Sequence, residues 1–521
     1  MIPLFKLTLR TNKLFACIAG CGLIYGLAFN SIALANPITD ENLNTGSAGW
    51  ILSNQNSPYA ATDAVGQIKG YMSATSVNKG GAIDFKVTVN PVQNFTIEVY
   101  RVGWYGGAGG RLMQTIGPIS GVTQPACKRT GDTLAADNIT VLTPGLLECN
   151  WSKSYTLTVP VTWTSGIYLA KLKNAAGFDS GAIFAVRDDN RVANYLYEQP
   201  VNTYQAYNQY PEGQGSSLYS GDLSGLPKAV KVSFNRPYAG YSTSFNGYGH
   251  FPEEELNLVK WLEKLGYDVT YSTSVDSHAN GANLLNYRGG IISGGHSEYW
   301  SSAERDAFEN ARNSKINLAF FASNAIYWQI RYEPSTFNGA VNRTMVCYKD
   351  ASQDPVQDPK LVTDLFRSTA VNRPEQELQG NQYITNNSFW NVAGWADLVV
   401  KNTSYWVYNG SGFTDGQKVP KIVGYEINNT QSSYPMPTNT ELTILAQSPY
   451  VDSNGANYNQ QTVIYRAMSA AGAPMGWVFS SGTMEWSWAL DYEPSLSWEG
   501  LPYGVDLTNP GLQKVTQNIL D

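Results

Sequence analysis

The sequence predicts a chain in two parts: a β-sandwich followed by an α/β domain with a mostly parallel sheet. Three observations carry this. Residues 51–186 show short alternations of apolar and polar side chains, separated by Gly-, Pro- and Asn-rich turns and almost free of helix signal, the pattern of a sandwich. Beyond residue 191, apolar runs alternate with amphipathic segments, as repeated βα units do. A polar junction, Arg187-Asp188-Asp189-Asn190, separates the two regimes. The 521 residues suit two or three domains, divided as a signal at 1–35, a sandwich at 36–190 and an α/β domain at 191–521 with an insertion at about 335–420.

In the first region, 82–89 (AIDFKVTV) and 95–102 (FTIEVYRV) alternate as half-buried strands do, and 155–159, 166–172 and 181–186 follow. Gly103-Trp104-Tyr105-Gly106-Gly107 reads as a packed edge loop in preference to a binding platform. In the second region, strands are expected at 192–197, 229–234, 267–271, 288–293 and 316–322, and the Tyr-rich 203–208 reads as a loop. Pro252 opens an amphipathic helix over 253–265 that stops at Gly266. Its Glu253-Glu254-Glu255 start suits the helix dipole. Residues 335–420 are polar and turn-rich. Strands return at 421–427, 442–447, 461–466 and 476–479, and Pro510 begins a closing helix over 509–520.

Residues 1–35 read as an export signal: Lys6, Arg10 and Lys13 precede a largely apolar 14–34, and Ala33-Leu34-Ala35 suits cleavage. Ile18-Ala19-Gly20-Cys21 also resembles a lipobox that would lipidate Cys21, and the apolar run approaches the length of an uncleaved anchor. Removing the signal deletes three basic charges and takes the formal charge from −7 to −10. With no basic stripe, this argues against nucleic acid as a partner. Export permits disulfides; pairing Cys127 with Cys149 would close a loop of 22 residues and stabilise the fold by about 3 kcal/mol. Cys347 is left as a buried small residue.

Residues 289–300 (GGIISGGHSEYW) read as a buried strand and a double-glycine turn before a helix that Ser301 and Glu304 cap. A parallel strand ending in this way delivers His296 and Glu298 to the carboxyl edge of the sheet, where open α/β sheets place ligands. The chain has three histidines, so one in such a turn stands out. A glutamate favouring the helix start beside a loop-capping histidine would look the same. No G-x-S-x-G, P-loop, H-E-x-x-H or C-x-x-C motif is present, so Ser or Cys nucleophile catalysis lacks support. Other strand ends carry Tyr207, Arg236, Tyr238, Ser323, Asn324 and Glu485. Phenolate and carboxylate oxygens suit a hard cation such as ferric iron, although most of the 33 tyrosines must pack and not ligate.

Four segments resemble the large (beta) subunit of N,N-dimethylformamidase: Thr203-Tyr204-Gln205-Ala206-Tyr207-Asn208, Val232-Ser233-Phe234-Asn235-Arg236-Pro237-Tyr238, Gly294-Gly295-His296-Ser297-Glu298-Tyr299-Trp300-Ser301 and Gly482-Thr483-Met484-Glu485-Trp486. Residues 100–107 (YRVGWYGG) are similar to that subunit's β-rich region. The resemblance implies an immunoglobulin-like or jelly-roll-like β domain before an amidotransferase-like α/β domain. It also implies a mononuclear ferric iron held by two tyrosines and one glutamate. Carried over residue by residue, it makes Glu298 the carboxylate ligand, His296 its catalytic neighbour and Glu485 a second catalytic acid. Tyr207 and Tyr238 are the expected phenolic ligands because both follow strand ends; Tyr204, Tyr219 and Tyr241 are rivals. Arg236 and Asn324 are assigned to substrate binding.

The implied activity is hydrolysis of a carbon–nitrogen amide bond in a small-molecule or envelope-derived substrate. The family enzyme works with a small partner subunit, which nothing in this sequence shows, and it is not generally exported. Dimethylformamide itself is therefore not the expected substrate, and a homo-oligomer stays open. The competing expectation is an exported carbohydrate- or envelope-binding protein without catalysis, motivated by the sandwich, the 33 tyrosines and the 14 tryptophans.

Overall fold

The computed structural model describes residues 35–521 except 55, 132, 135–140, 144, 212–214, 220–226, 241–244, 388–393, 439 and 495–504. The expected export signal, through residue 34, and Tyr241 lie outside the described residues. The chain is β-rich, with several sheets.

The first region packs a three-stranded sheet (Ile68–Met72, Ala82–Val89, Tyr155–Thr158) on a five-stranded one. The larger sheet runs Ser76–Asn78, Asp179–Arg187, Gly166–Asn174, Asn94–Val102, Gly110–Ser120. Alternation decides the faces: Phe95, Ile97 and Val99 point into the core between the sheets with Phe85, Val87 and Leu157. Tyr100, Val102, Ile167 and Leu169 point the other way, into a second core shared with Tyr197, Tyr204 and Trp261. The larger sheet is thus covered on both faces, which is why Asp179–Arg187 is buried along almost its whole length. The strand Gly110–Ser120 was not among those expected. It is an edge strand, largely open to solvent, and Gly117-Pro118 interrupts its alternation.

Cys127 and Cys149 are joined, and Cys347 is a buried free thiol, both as expected. The 103–107 loop is packed: Tyr105 is buried, donating its hydroxyl to Glu41 at 2.8 Å and accepting from Arg101 at 3.0 Å.

The second region is organised by a seven-stranded sheet ordered Val269–Thr273, Tyr195–Gln199, Gly290–Ser293, Leu318–Phe320, Pro474–Ser480, Asn457–Met468, Leu442–Val451. The first five strands are parallel, Asn457–Met468 runs antiparallel to them, and Leu442–Val451 runs antiparallel to Asn457–Met468. Tyr197, Ile292, Ala319 and Phe479 stand in one register row, so these strands end together at one rim. A smaller sheet of Lys231–Ser233, Thr344–Val346, Trp328–Glu333 and Tyr299–Ser301 stands apart from the seven-stranded one.

Several expectations need correction. The Tyr-rich 203–208 is not a loop but most of the helix Val201–Tyr207. All but its last residue are buried, so it shows no amphipathic period. The helix expected over 253–265 is two, Phe251–Glu254 and Leu256–Lys264, broken at Glu255. Its three glutamates are buried rather than solvated: Glu254 accepts from Tyr425 at 2.8 Å, and Glu255 accepts from Tyr197 at 2.9 Å and from Tyr204. The strand expected at 421–427 divides into Lys418–Val423 and Glu426–Asn429, which pair in different sheets. The capping box is as expected: Ser301 and Glu304 close the start of Ser302–Asn313 reciprocally.

Candidate active site

The parallel strand Gly290–Ser293 ends in Gly294 and Gly295. A Cβ on Gly294 would stand 2.0 Å from the Tyr197 hydroxyl oxygen, and one on Gly295 2.6 Å from Glu255 Cγ. Gly295 also has φ +60°, which disfavours other residues. The turn therefore lies flat against its neighbours and projects His296, Ser297 and Glu298 beyond the sheet. Glu298 is fixed through its backbone. Its N–H donates to Thr203 Oγ1 at 3.1 Å, and its carbonyl accepts from the N–H groups of Tyr327 and Trp328 at 3.0 and 2.9 Å. Thr203 lies one turn before Tyr207 on the helix Val201–Tyr207, so the two share a face.

Four groups converge on the Glu298 carboxylate. The Tyr207 hydroxyl donates to Oε2 at 3.2 Å, and the Tyr219 hydroxyl donates to Oε1. Trp328 Nε1–H also donates to Oε1, at 3.1 Å, and His296 Nε2 stands 3.5 Å from Oε2. His296 Nε2 in turn pairs with Glu426 at 3.1 Å and meets the Asn324 amide at 3.2 Å. Lys349 Nζ sits 3.2 Å above the Tyr219 ring, with Trp328 and Tyr299 at 5.0 and 5.3 Å. His296 and Glu298 are each 2% exposed, whereas Tyr219 is 40% exposed, so the cluster opens to solvent on the Tyr219 side.

The electrostatics follow from crowding acids in a buried place. Burial opposes charge on His296, but Glu426, Glu298 and Glu254 outweigh it and raise the imidazole to about 9. Burial raises Glu298, with His296 and Lys349 pulling the other way. Burial raises Glu254 to about 7, and burial lowers Lys349 to about 8 against the pull of Glu298. Burial, reinforced by the charge of Glu298, pushes Tyr207 well above the usual phenol value, and Tyr219, which is partly exposed but whose hydroxyl reaches the buried Glu298 carboxylate, is raised as well.

Of the residues singled out in the sequence, Tyr207, His296, Glu298 and Asn324 meet here. Tyr238 does not reach the Glu298 carboxylate. The 237–239 turn is bound to Asn208, which donates to the Pro237 carbonyl at 2.9 Å and accepts from Ala239 N–H at 3.0 Å. Tyr238 consequently stands edge-on to Tyr204, centroids 6.1 Å apart, and lines a separate cavity with Arg236. The rival Tyr219 supplies the second phenol. Glu485 lies in the first turn of the short helix Met484–Ala489, where its charge raises Glu253 and is itself opposed by Glu254; the carboxylate 3.1 Å from His296 is Glu426. Tyr204, another rival, gives its hydroxyl to Glu255. Sequence reasoning missed Glu426, Trp328 and Lys349, none of which lies in a local motif.

Among the described residues, no group of three or more His, Cys, Asp and Glu side chains is spaced to hold a metal ion. Tyr207, Tyr219 and Glu298 form a different donor set, two phenols and a carboxylate. Oxygen ligands about 2.0–2.1 Å from a small hard cation lie about 3 Å from one another, and the Tyr207–Glu298 oxygens are already 3.2 Å apart. The chemistry of this set fits a hard, highly charged cation, which would also displace the phenolic protons that burial retains.

A family model described as N,N-dimethylformamidase beta subunit-like, C-terminal, matches residues 96–499. That span contains every residue of the cluster. The N,N-dimethylformamidase beta subunits of Paracoccus aminophilus and of an Alcaligenes species are each 24% identical to this chain over 221 residues, 36% of this chain and 29% of theirs. The match thus spans under a third of the length of these relatives. A crystal structure of a Paenibacillus cycloisomaltooligosaccharide glucanotransferase aligns over 80% of this chain and 71% of its own, at 10% identity. Its TM-score of 0.17 is too low to bear on the fold.

Proposed function

The chain belongs to the N,N-dimethylformamidase beta subunit-like family, and on that premise we propose that it is a cation-dependent hydrolase of a carbon–nitrogen amide bond in a small substrate. The convergence of Tyr207, Tyr219 and His296 on the Glu298 carboxylate carries this reading. Tyr207, Tyr219 and Glu298 would hold ferric iron. When bound, it supplies Lewis acidity toward an amide carbonyl.

The remaining chemistry belongs to the chain's own residues. Hydrolysis adds water across the carbonyl, breaks the C–N bond and delivers a proton to the departing nitrogen. His296, paired with the buried Glu426 carboxylate at 3.1 Å, is the donor for that proton, and Glu426 orients the ring. Asn324 turns either its NH2 or its carbonyl toward the imidazole according to the ring's protonation. Trp328 fixes one carboxylate oxygen of Glu298, and Lys349 covers the open side over Tyr219.

The relatives' names describe beta subunits of enzymes for N,N-dimethylformamide. A related amide and a further subunit come to this chain as part of the proposal, as does an immunoglobulin-like or jelly-roll-like first domain before an amidotransferase-like one. The export signal expected at residues 1–35 favours an amide met outside the cytoplasm.

Elemental analysis and a visible spectrum of the purified protein test the reading, together with an assay on small formamides and acetamides. Expected are about one iron per chain, a tyrosinate-to-iron charge-transfer band, and hydrolysis that a chelator abolishes. A colourless, metal-free protein, or an iron-loaded one that hydrolyses no amide, would sink it.

A further inference from the structure

The cavity lined by Arg236 and Tyr238 is itself charged. Gly70, Tyr71 and Met72 line it from the first region, and Gln205, Arg236 and Arg343 from the second. Arg236 and Arg343 are 3% and 5% exposed. Among the described residues, neither has a carboxylate partner. The Arg236 Nη atoms donate to the backbone carbonyls of Asn208, Tyr210 and Ser216 at 2.8, 3.4 and 3.3 Å, and its buried Nε–H has no acceptor. Arg343 donates to Asn235 Oδ1 and to the carbonyls of Met72 and Phe234, at 2.9, 2.8 and 2.8 Å. Glu148, whose charge reaches Arg343, already accepts from Asn235, Ser335 and Thr336. Arg129 adds further positive charge at Arg236.

A buried guanidinium without a counter-charge is costly, and folded proteins normally relieve it by pairing. We propose that this cavity is a binding site for a small monovalent anion, a halide or a small carboxylate such as formate, held by the Arg236 Nε–H and Arg343 beside Tyr238. Its free volume of about 30 Å³, where a water needs roughly 10–15 Å³, leaves room for such an ion. A guanidinium suits this ligand because it is weakly hydrated and releases its water readily. The site joins the two regions. The three carbonyls held by Arg236 belong to the segment between Tyr207 and Tyr219, so the anion would brace the chain that carries both phenols. The proposal does not depend on the hydrolase reading, because its test reads neither iron nor activity.

The test uses the full mature chain in a buffer whose only anion is gluconate, too large for the cavity. The urea unfolding midpoint is followed as bromide or formate replaces gluconate at constant ionic strength. Expected is a saturable rise in the midpoint that Arg343→Gln loses, with the better occupant saturating at the lower concentration. Should that variant not fold, wild-type crystals soaked in bromide take its place, read at the bromine absorption edge. An anomalous peak within hydrogen-bond reach of Arg236 Nε, together with the saturable rise, supports the site. A midpoint without saturable anion dependence overturns it, whether the cavity then holds only water or shows bromide at crystal concentration only.

Discussion

Tyr207 and Tyr219 stack face to face, with centroids 4.3 Å apart and planes 26° apart, and their hydroxyls reach opposite oxygens of the one Glu298 carboxylate. Stacking holds the phenols side by side, and the carboxylate aims both hydroxyls at one point. Each keeps its proton because burial and the charge of Glu298 oppose a phenolate. A cation placed among these oxygens reverses that balance.

This pairing separates two tyrosines that look alike in the sequence. Tyr219→Phe is expected to weaken and shift the visible band and lower iron content roughly tenfold or more. Tyr238→Phe should leave both in place. Spectra and metal analysis of the two variants check this; the opposite pattern would move the donor set to Tyr238.

Gly295→Ala is expected to lower stability by about 1–3 kcal/mol and activity with it. The new Cβ would meet Glu255 Cγ at 2.6 Å on a backbone with φ +60°. Glu255 has little room to yield, since Tyr197 and Tyr204 hold its carboxylate. Urea unfolding decides; a change within ~0.5 kcal/mol would mean that the turn is soft.

Arg101 and Glu263 form a fully buried ion pair between the first region and the helix Leu256–Lys264, with contacts of 2.6 and 3.0 Å. Glu263→Gln leaves a buried guanidinium facing a neutral amide and is expected to cost about 3–5 kcal/mol. Arg101→Met with Glu263→Met should recover most of that loss. A double variant as unstable as the single one would show that packing, not charge, sets the cost.

Stability should also carry a pH signature from Glu198. Burial, then the charge of Asp276, pushes its carboxyl up to about 8, and Glu304 beside it is raised as well. The folded chain therefore binds a proton that the unfolded chain has released. Stability then falls as pH rises from about 4.5 to about 8, by at most about 1.4 kcal/mol per unit for one proton. Glu198→Gln is expected to flatten this decline, so its advantage over wild type grows with pH. Parallel urea-midpoint profiles for the two proteins would refute the assignment.

Much of the architecture was legible because its signals are local. Alternation over a few residues marks the strands Ala82–Val89 and Asn94–Val102, and Ser301 with Glu304 marks the start of Ser302–Asn313. Pro510 likewise marks the closing helix. The same holds for His296 and Glu298, since a strand followed by two glycines and a capped helix already states where the turn must lie. Elements without a period escaped: Val201–Tyr207 is buried on nearly every side, so nothing in its spelling separates helix from loop.

Only the tertiary structure decided which oxygens meet. Tyr219 lies 79 residues from Glu298 and on no helix or strand, so its reach depends on how distant segments pack. Tyr238 follows a strand end, as the sequence suggested, yet Asn208 binds its turn and Arg236 lies beside it in the other cavity. Glu426 reaches His296 because the chain divides into two strands where one was expected. Caps and alternation act between neighbours along the chain. The convergence of side chains from separate segments is set by the packing of everything between them.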